Sequence, residues 1–159
     1  MKAKVYIETT IPSYLVARPS RDLLVAAHQQ ITRQWWETRR RDFQIYISDL
    51  VINEARSGDT ALAKQRLEFL AGVEVLTIRP DILQMAGRLV SAGPIPLAVA
   101  DDATHIATAS AYNCEYLLTW NCRHIANAEL RPALKRIVEE FGFELPNLCT
   151  PEELMGEQG

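Results

Sequence analysis

Four oxygen-bearing side chains in this sequence each follow or open an element of regular structure. Glu8 comes directly after Val5, Tyr6 and Ile7, in the stretch KVYIETTIPSYL. Glu54 lies in SDLVINEAR, Asp102 in VADDATHIATASAY, and Asn121 in LLTWNCRHI, two residues past Thr119. A carboxylate on an otherwise apolar stripe is costly to bury alone, so it needs a cation, a hydrogen-bond network or water beside it. Carboxylates gathered at one spot repel one another, and a divalent cation is the usual remedy. An all-oxygen donor set suits Mg²⁺ or Mn²⁺.

Taken singly, each acid has a plainer explanation. Asp101 or Asp102 can cap a helix N-terminus, Glu54 can be a half-exposed neighbour of Arg56, and Glu8 can pair with a lysine. The elements that carry them argue for the combination. Short apolar runs at Val5–Ile7, Ile45–Ile47, Val73–Thr77, Tyr116–Thr119 and, more weakly, Leu148–Thr150 read as strands. Between them, Leu23, Leu24, Ala27 and Ile31 keep a helical period, as do Leu62, Leu67 and Leu70. Ile82, Met85, Ala86 and Leu89 follow, then Ala103, Ile106, Ala107 and Ala111, then Leu134, Ile137, Val138 and Phe141. Alternating strands and helices mean one α/β domain over residues 1–159 with a mostly parallel sheet. Ligands of open α/β sheets collect at the carboxyl ends of the strands. Glu8 and Asn121 stand at that edge, and Glu54 and Asp102 sit on helices that start near it.

Local signals refine this layout. Ser48 is expected to cap the SDLVINEAR helix, where Leu50, Val51 and Glu54 share a face. His105, three residues after Asp102, lies on the same helix face as that acid. Gly142 reads as a helix stop, and Thr150-Pro151-Glu152-Glu153 as the start of a short final helix. The helix from about Arg21 to Arg41 carries Trp35 and Trp36 side by side, about 100° apart around its axis. Either one ring faces a partner, or the helix has a wide apolar face against its own core. Arg39-Arg40-Arg41 reads as a solvated helix end or a phosphate-contacting rim.

Composition narrows the classes. Hydrophobic residues at 48% and charged ones at 23% fit a soluble globular chain, and no apolar run is long enough to cross a bilayer. No basic segment leads into a long apolar stretch, so no signal peptide is read. Cys114, Cys122 and Cys149 are an odd number without framework spacing, which points to reduced thiols and a cytoplasmic location. A net charge of −3 argues against bulk electrostatic binding of nucleic acid but leaves room for an acidic, metal-dependent site that cuts it. The phosphate-binding glycine loops and the GxSxG nucleophile elbow are absent. Cys114, Cys122 and His124 lack the paired spacing of a zinc site and read as thiols and a loop histidine.

Together, YIETT, ISDLVINEA, DATHIATA and LLTWNCRHI resemble in order and spacing the motifs of PIN domains, in particular the VapC-type toxin ribonucleases of toxin–antitoxin pairs. The resemblance covers nearly the whole chain. It implies a PIN-like three-layer α/β/α fold and an Mg²⁺- or Mn²⁺-dependent endoribonuclease acting on RNA phosphodiester bonds. It also implies a cognate antitoxin and a homodimer. Carried over residue by residue, it assigns Glu8, Glu54, Asp102 and Asn121 to the catalytic set. Glu8, Asp102 and Asn121 would be metal ligands, and Glu54 would complete the cage or orient the attacking water. Asp102 is preferred to Asp101 because Ala107 and Ala109 then match the family's small positions. Thr10 and Thr119 are expected to contact phosphate or support the ligands. The chain departs from the family pattern in having Glu8 for Asp, Asn121 for the more frequent Asp, and His124-Ile125 where many relatives carry Asp and an aromatic residue. Three full negative charges then remain instead of four, so weaker metal binding or a single held ion is expected. The alternatives are a PIN-like RNA-binding or regulatory module that has lost cleavage, an interaction protein using the tryptophan helix, and another metal-dependent phosphodiesterase.

Overall fold

The computed structural model describes residues 1–157. The chain runs β1 (Ala3–Ile7), α1 (Thr10–Val16), α2 (Leu23–Thr38), β2 (Phe43–Ser48), α3 (Asp49–Ala55) and α4 (Thr60–Leu70). It continues with β3 (Glu74–Leu76), α5 (Pro80–Ser91), α6 (Ala100–Ala111), β4 (Tyr116–Leu118), α7 (Arg131–Glu140) and β5 (Asn147–Cys149). Every expected strand forms, including the weakly signalled last one. All lie in one sheet of order β3-β2-β1-β4-β5 with every pair parallel.

This order fixes where a site can form. The chain steps outward from β1 to β2 and β3, then crosses back to β4 on the other side of β1 and on to β5. Right-handed crossovers place the helices before and after that reversal on opposite faces of the sheet. The principal helix contacts divide the same way, α1 with α2 and α4 and α3 with α4, against α5 with α6 and α7. The result is a three-layer α/β/α domain, with a crevice beyond the carboxyl ends of β1 and β4 where the winding changes direction. Covered on both faces, β1 buries Val5, Tyr6 and Ile7 completely, so it reads as an unbroken apolar run rather than an alternating one. Helix α5 buries the four residues that set its period, Ile82, Met85, Ala86 and Leu89. Ala103, Ala107 and Ala111 let α6 lie close against the sheet.

Three details differ from expectation. Helix α1 has no counterpart among the helices read from periodicity. It spans only two turns, burying Ile11 and Leu15, and places Pro12 in the first turn, where a missing N–H is harmless. The helix expected from Thr150 does not form. The Thr150 N–H and hydroxyl do bond Glu153 Oε1, at 3.2 and 3.3 Å, but the chain then makes only tight turns through Leu154. The Leu154 carbonyl instead accepts from Trp35 Nε1 (3.2 Å) and Arg39 Nε (3.3 Å), and Gly156 follows with a left-handed φ of 76°. The long helix also stops at Thr38, followed by a single 3-10 turn at Arg40–Asp42.

Both tryptophans pack against the helix's own core, Trp36 with part of its ring left exposed. Trp35 is fully buried and stacks on Phe43 at 5.9 Å. Trp36 is half-buried, edge-on to Phe69 at 5.7 Å and covered by the Arg40 guanidinium at 4.4 Å. Trp35→Ala is therefore expected to cost about 3–5 kcal/mol of unfolding free energy and Trp36→Ala only about 1–2. Urea titrations of both variants check this, and equal losses would contradict the packing described.

Candidate active site at the β1–β4 edge

Strand pairing carries Glu8 to the crevice. Its amide donates to Leu118 O at 3.0 Å, so the β1–β4 ladder extends one residue past β1. The carboxylate is 5% exposed, and its Oε1 accepts three donors: Thr10 N (3.1 Å), Thr10 Oγ1 (2.5 Å) and Thr119 Oγ1 (2.7 Å). Each threonine hydroxyl in turn accepts an amide from the loop after β4, Trp120 N on Thr10 and Asn121 N on Thr119, both at 2.9 Å. Both hydroxyls were expected to contact phosphate or support the ligands, and their protons are committed to Glu8. They tie the ends of β1 and β4 to one carboxylate.

Glu54 is held from two sides. Its Oε1 accepts from Thr9 Oγ1 at 2.7 Å and lies 2.6 Å from Nε2 of His105, which is fully buried. The other ring nitrogen, Nδ1, is 2.7 Å from the Tyr6 hydroxyl, which is 2.8 Å from Ser48 Oγ. Ser48 thus stands at the N-cap of α3 without capping it, because its hydroxyl meets Tyr6. Tyr6 and Glu8, two residues apart on β1, project to the same face of the sheet. A chain of contacts therefore runs under Glu8 from Ser48 through Tyr6 and His105 to Glu54.

All three acids act electrostatically on His105, and Glu54 alone touches it. Burial alone would lower its pKa, but the Glu54 hydrogen bond and the charges of Glu8, Glu54 and Asp102 outweigh that and raise it. For Glu54, burial acts upward, yet the bond to His105, its charge and the Thr9 hydroxyl bring the carboxyl below its ordinary value. Burial, with the charges of Glu8 and Glu54, drives the Tyr6 phenol well above its usual range, so it stays protonated.

Asp102 sits in the first turn of α6, and neither it nor Asp101 is the capping residue, which is Val99. Asp101 is exposed, whereas the Asp102 side chain is 16% exposed with Oδ2 3.3 Å from His124 Nδ1. His124, a loop histidine by its sequence context, is the immediate neighbour of Asp102. Asn121 Oδ1 accepts from His124 N at 3.0 Å, so the amide that was expected to face a metal closes the turn that presents His124.

One pattern recurs in two of the three carboxylates. Protein hydrogen bonds engage Oε1 of Glu8 and Oε1 of Glu54 and leave the second oxygen of each free of one among the described residues, while Asp102 has only the 3.3 Å contact of Oδ2 with His124. The buried side-chain polar atom without a partner is Arg40 Nε, far from these acids in the chain, so Glu8 Oε2 reaches solvent. Among the described residues no three His, Cys, Asp or Glu side chains stand close enough to form a ready metal cage. The donor chemistry nevertheless fits a hard divalent cation, with an unengaged oxygen on each acid and no thiol or free imidazole among them. Thr9, Tyr6 and His124 complete the cluster and were not read from sequence, because their partners lie 45, 99 and 22 residues away; the only signal was the shared helix face of Asp102 and His105.

With this geometry in view, the comparisons with known proteins can be placed. No family model matches the sequence, and no curated protein does. Solved structures do match. One is VapBC2 from Rickettsia felis bound to a DNA fragment from its promoter, with TM-score 0.56 and 17% identity over 92% of this chain and 96% of that one. The FitAB structure bound to the IR36 DNA fragment has TM-score 0.56 and 13% identity, covering 92% and 94%. The fold is that of a PIN domain. The sarcin-ricin loop cleaving toxin VapC20 of Mycobacterium tuberculosis shares it at TM-score 0.55 and 16% identity, over 71% of this chain and 86% of that one. At such identities the likeness speaks for the PIN fold and its crevice, not for chemistry.

The His105–Glu54 contact predicts a pH-dependent stability difference. The raised His105 pKa gives stability that is full below about 6.5, the unfolded histidine value, and is lost as pH rises through the folded one. The lowered Glu54 pKa gives stability present above about 4.3 and lost as pH falls through its folded value. His105→Gln should therefore be destabilised most, by about 2–3 kcal/mol, between roughly pH 5 and 6.5, with the gap narrowing above. Denaturant melts across pH check this; a gap that does not change with pH would contradict it.

Proposed function

We propose that this chain is a divalent-metal-dependent endoribonuclease and the toxin of a type II toxin–antitoxin pair. The observation that carries the reading is the set of three carboxylates, following β1, on α3 and on α6, whose charges all act on one buried histidine at the switch crevice, with one oxygen of Glu8 and one of Glu54 fixed and the other unengaged. The likeness to VapC20, named as a sarcin-ricin loop cleaving toxin, supports RNA as substrate, and the likeness to VapBC2 and FitAB supports an antitoxin partner. The homodimer implied by the sequence resemblance belongs to the same proposal.

Glu8 and Asp102 are the residues that would hold Mg²⁺ or Mn²⁺, with the remaining lone pair of Asn121 Oδ1 beside them. When bound, such an ion lowers the pKa of water and neutralises charge developing on the phosphoryl group. Glu54, fixed through Oε1, presents Oε2 to orient the attacking water and take its proton. Thr10 and Thr119 act by holding Glu8, because their hydroxyl protons already point at it. His105 and Tyr6 keep the Glu54 carboxylate from rotating. A second reading draws on the same contacts. If His105 compensates the acids internally, the rim needs no ion and the chain binds RNA without cutting it.

Incubation with a mixed RNA pool in Mg²⁺ or Mn²⁺ decides between them. The wild-type protein should cleave, and Asp102→Asn or excess EDTA should lower the rate at least about 100-fold. Equal product in all three samples would overturn the nuclease reading.

A further inference from the structure

Beside the acid cluster, on the far side of Thr10, the chain builds a ladder of aromatic rings that the proposed chemistry does not use. Trp120 follows Thr119, and its amide donates to the same Thr10 hydroxyl that bonds Glu8. Its indole stacks on His28 with centroids 4.0 Å apart and 12° between planes, and on Tyr14 at 6.1 Å and 15°. Thr32 Oγ1 locks the indole by accepting from Nε1 at 2.7 Å and itself donates to His28 O at 2.6 Å. Trp120 is buried at 9% exposure, whereas Tyr14 and His28 are half-buried and end the ladder at the surface. The Tyr14 hydroxyl has no hydrogen-bond partner among the described residues. Burial and then the charges of Cys122 and Glu8 raise its pKa, which places it within electrostatic reach of the acid site.

Cations flank this ladder. The loop between α1 and α2 is pinned to the turn of α2 next to His28: Gln29 Oε1 accepts from Ser20 N at 3.0 Å, and Gln29 Nε2 donates to Arg18 O at 3.2 Å. That loop carries Arg18 and Arg21, and the loop after Trp120 carries Arg123. All three are exposed, and none makes an ion pair among the described residues, although other surface arginines here do, such as Arg39, Arg79 and Arg88. Stacked rings beside unpaired guanidinium groups form the recognition chemistry of unpaired nucleic acid strands, in which bases lie on aromatic faces and cations follow the phosphates. A duplex keeps its base faces covered and cannot use such a ladder.

We propose that the Tyr14–Trp120–His28 ladder, flanked by Arg18, Arg21 and Arg123, is a binding site for an unpaired RNA strand, with one nucleobase stacked on Tyr14. The inference rests on the nuclease reading for the identity of the strand and adds where it docks: on the Tyr14 ring at the end of the stack, beside the acid cluster. It also accounts for RNA binding by a chain whose net charge is −3, since the cations are local to the cleft edge.

Fluorescence anisotropy with a labelled, unstructured oligoribonucleotide of about 12 nucleotides tests this, in EDTA so that cleavage plays no part. The comparison uses the same sequence annealed to its complement, with thermal melts to establish that each variant is folded. Wild-type protein should bind the single strand more tightly than the duplex. Tyr14→Leu should weaken single-strand binding at least about fivefold, the lower range for losing one stacked base, and Tyr14→Phe should retain it. Arg123→Gln should flatten the salt dependence by about one phosphate contact. Equal affinity of folded Tyr14→Leu and wild type, or equal affinity for strand and duplex, would overturn the proposal. Tyr14-dependent binding in a protein that cleaves no RNA would uphold it while overturning the nuclease reading. Metal-dependent cleavage with binding indifferent to Tyr14 would do the reverse.

Discussion

Three carboxylates held near one another in a poorly solvated crevice repel, and a fold that gathers them needs a compensating charge. Part of it is built in: His105, fully buried on α6, meets Glu54 at 2.6 Å, and the Glu54 contact with the charges of Glu8 and Asp102 raises its pKa. Much of the surrounding structure follows. Tyr6 occupies the centre of the middle strand with its hydroxyl on the imidazole, Ser48 gives up helix capping to meet that hydroxyl, and consecutive threonines each hold a different acid. Replacing any of these by an apolar residue would leave a buried polar group without its partner.

The topology explains why these acids lie at the rim of a crevice. With β1 central and β4 on the opposite side from β2, the loops after β1 and β4 diverge and leave a crevice between them. Glu8 stands on one lip, and the Trp120–His124 loop forms the other. The same loop presents Trp120 to the aromatic ladder and His124 to Asp102, so one segment borders both the acid cluster and the stacked rings. Protein hydrogen bonds take one oxygen of Glu8 and one of Glu54, which fixes the orientation of both carboxylates.

The layered architecture was legible from the sequence because it rests on local periodicity. The runs around Val5, Ile45, Val75, Tyr116 and Leu148 are strands, and the five helical stripes are helices. Helix α1 was not, since two turns with Pro12 inside carry too little period to distinguish them from a loop. The Thr150-Pro151-Glu152-Glu153 signal was legible but insufficient: its side-chain bond forms, while Trp35 and Arg39 capture the Leu154 carbonyl and the chain turns away. Glu8, Glu54 and Asp102 were named from their positions at strand and helix ends; Glu54 contacts His105, and the charges of all three raise its pKa. Asn121 was given a ligand's part that its capping bond to His124 now limits. Other partners were hidden because Thr9, Tyr6 and His124 meet groups far away in the chain, and residue type alone does not say which distant group a side chain will meet.

The charge on His105 is the point on which this account stands. Nitrogen-15 NMR of the imidazole across pH measures it directly, in the wild type and in Glu54→Gln. The account predicts a midpoint above the ordinary histidine value of about 6.5 in the wild type, falling when Glu54 is neutralised. A ring that is already neutral at pH 6, or a midpoint indifferent to Glu54, would contradict it.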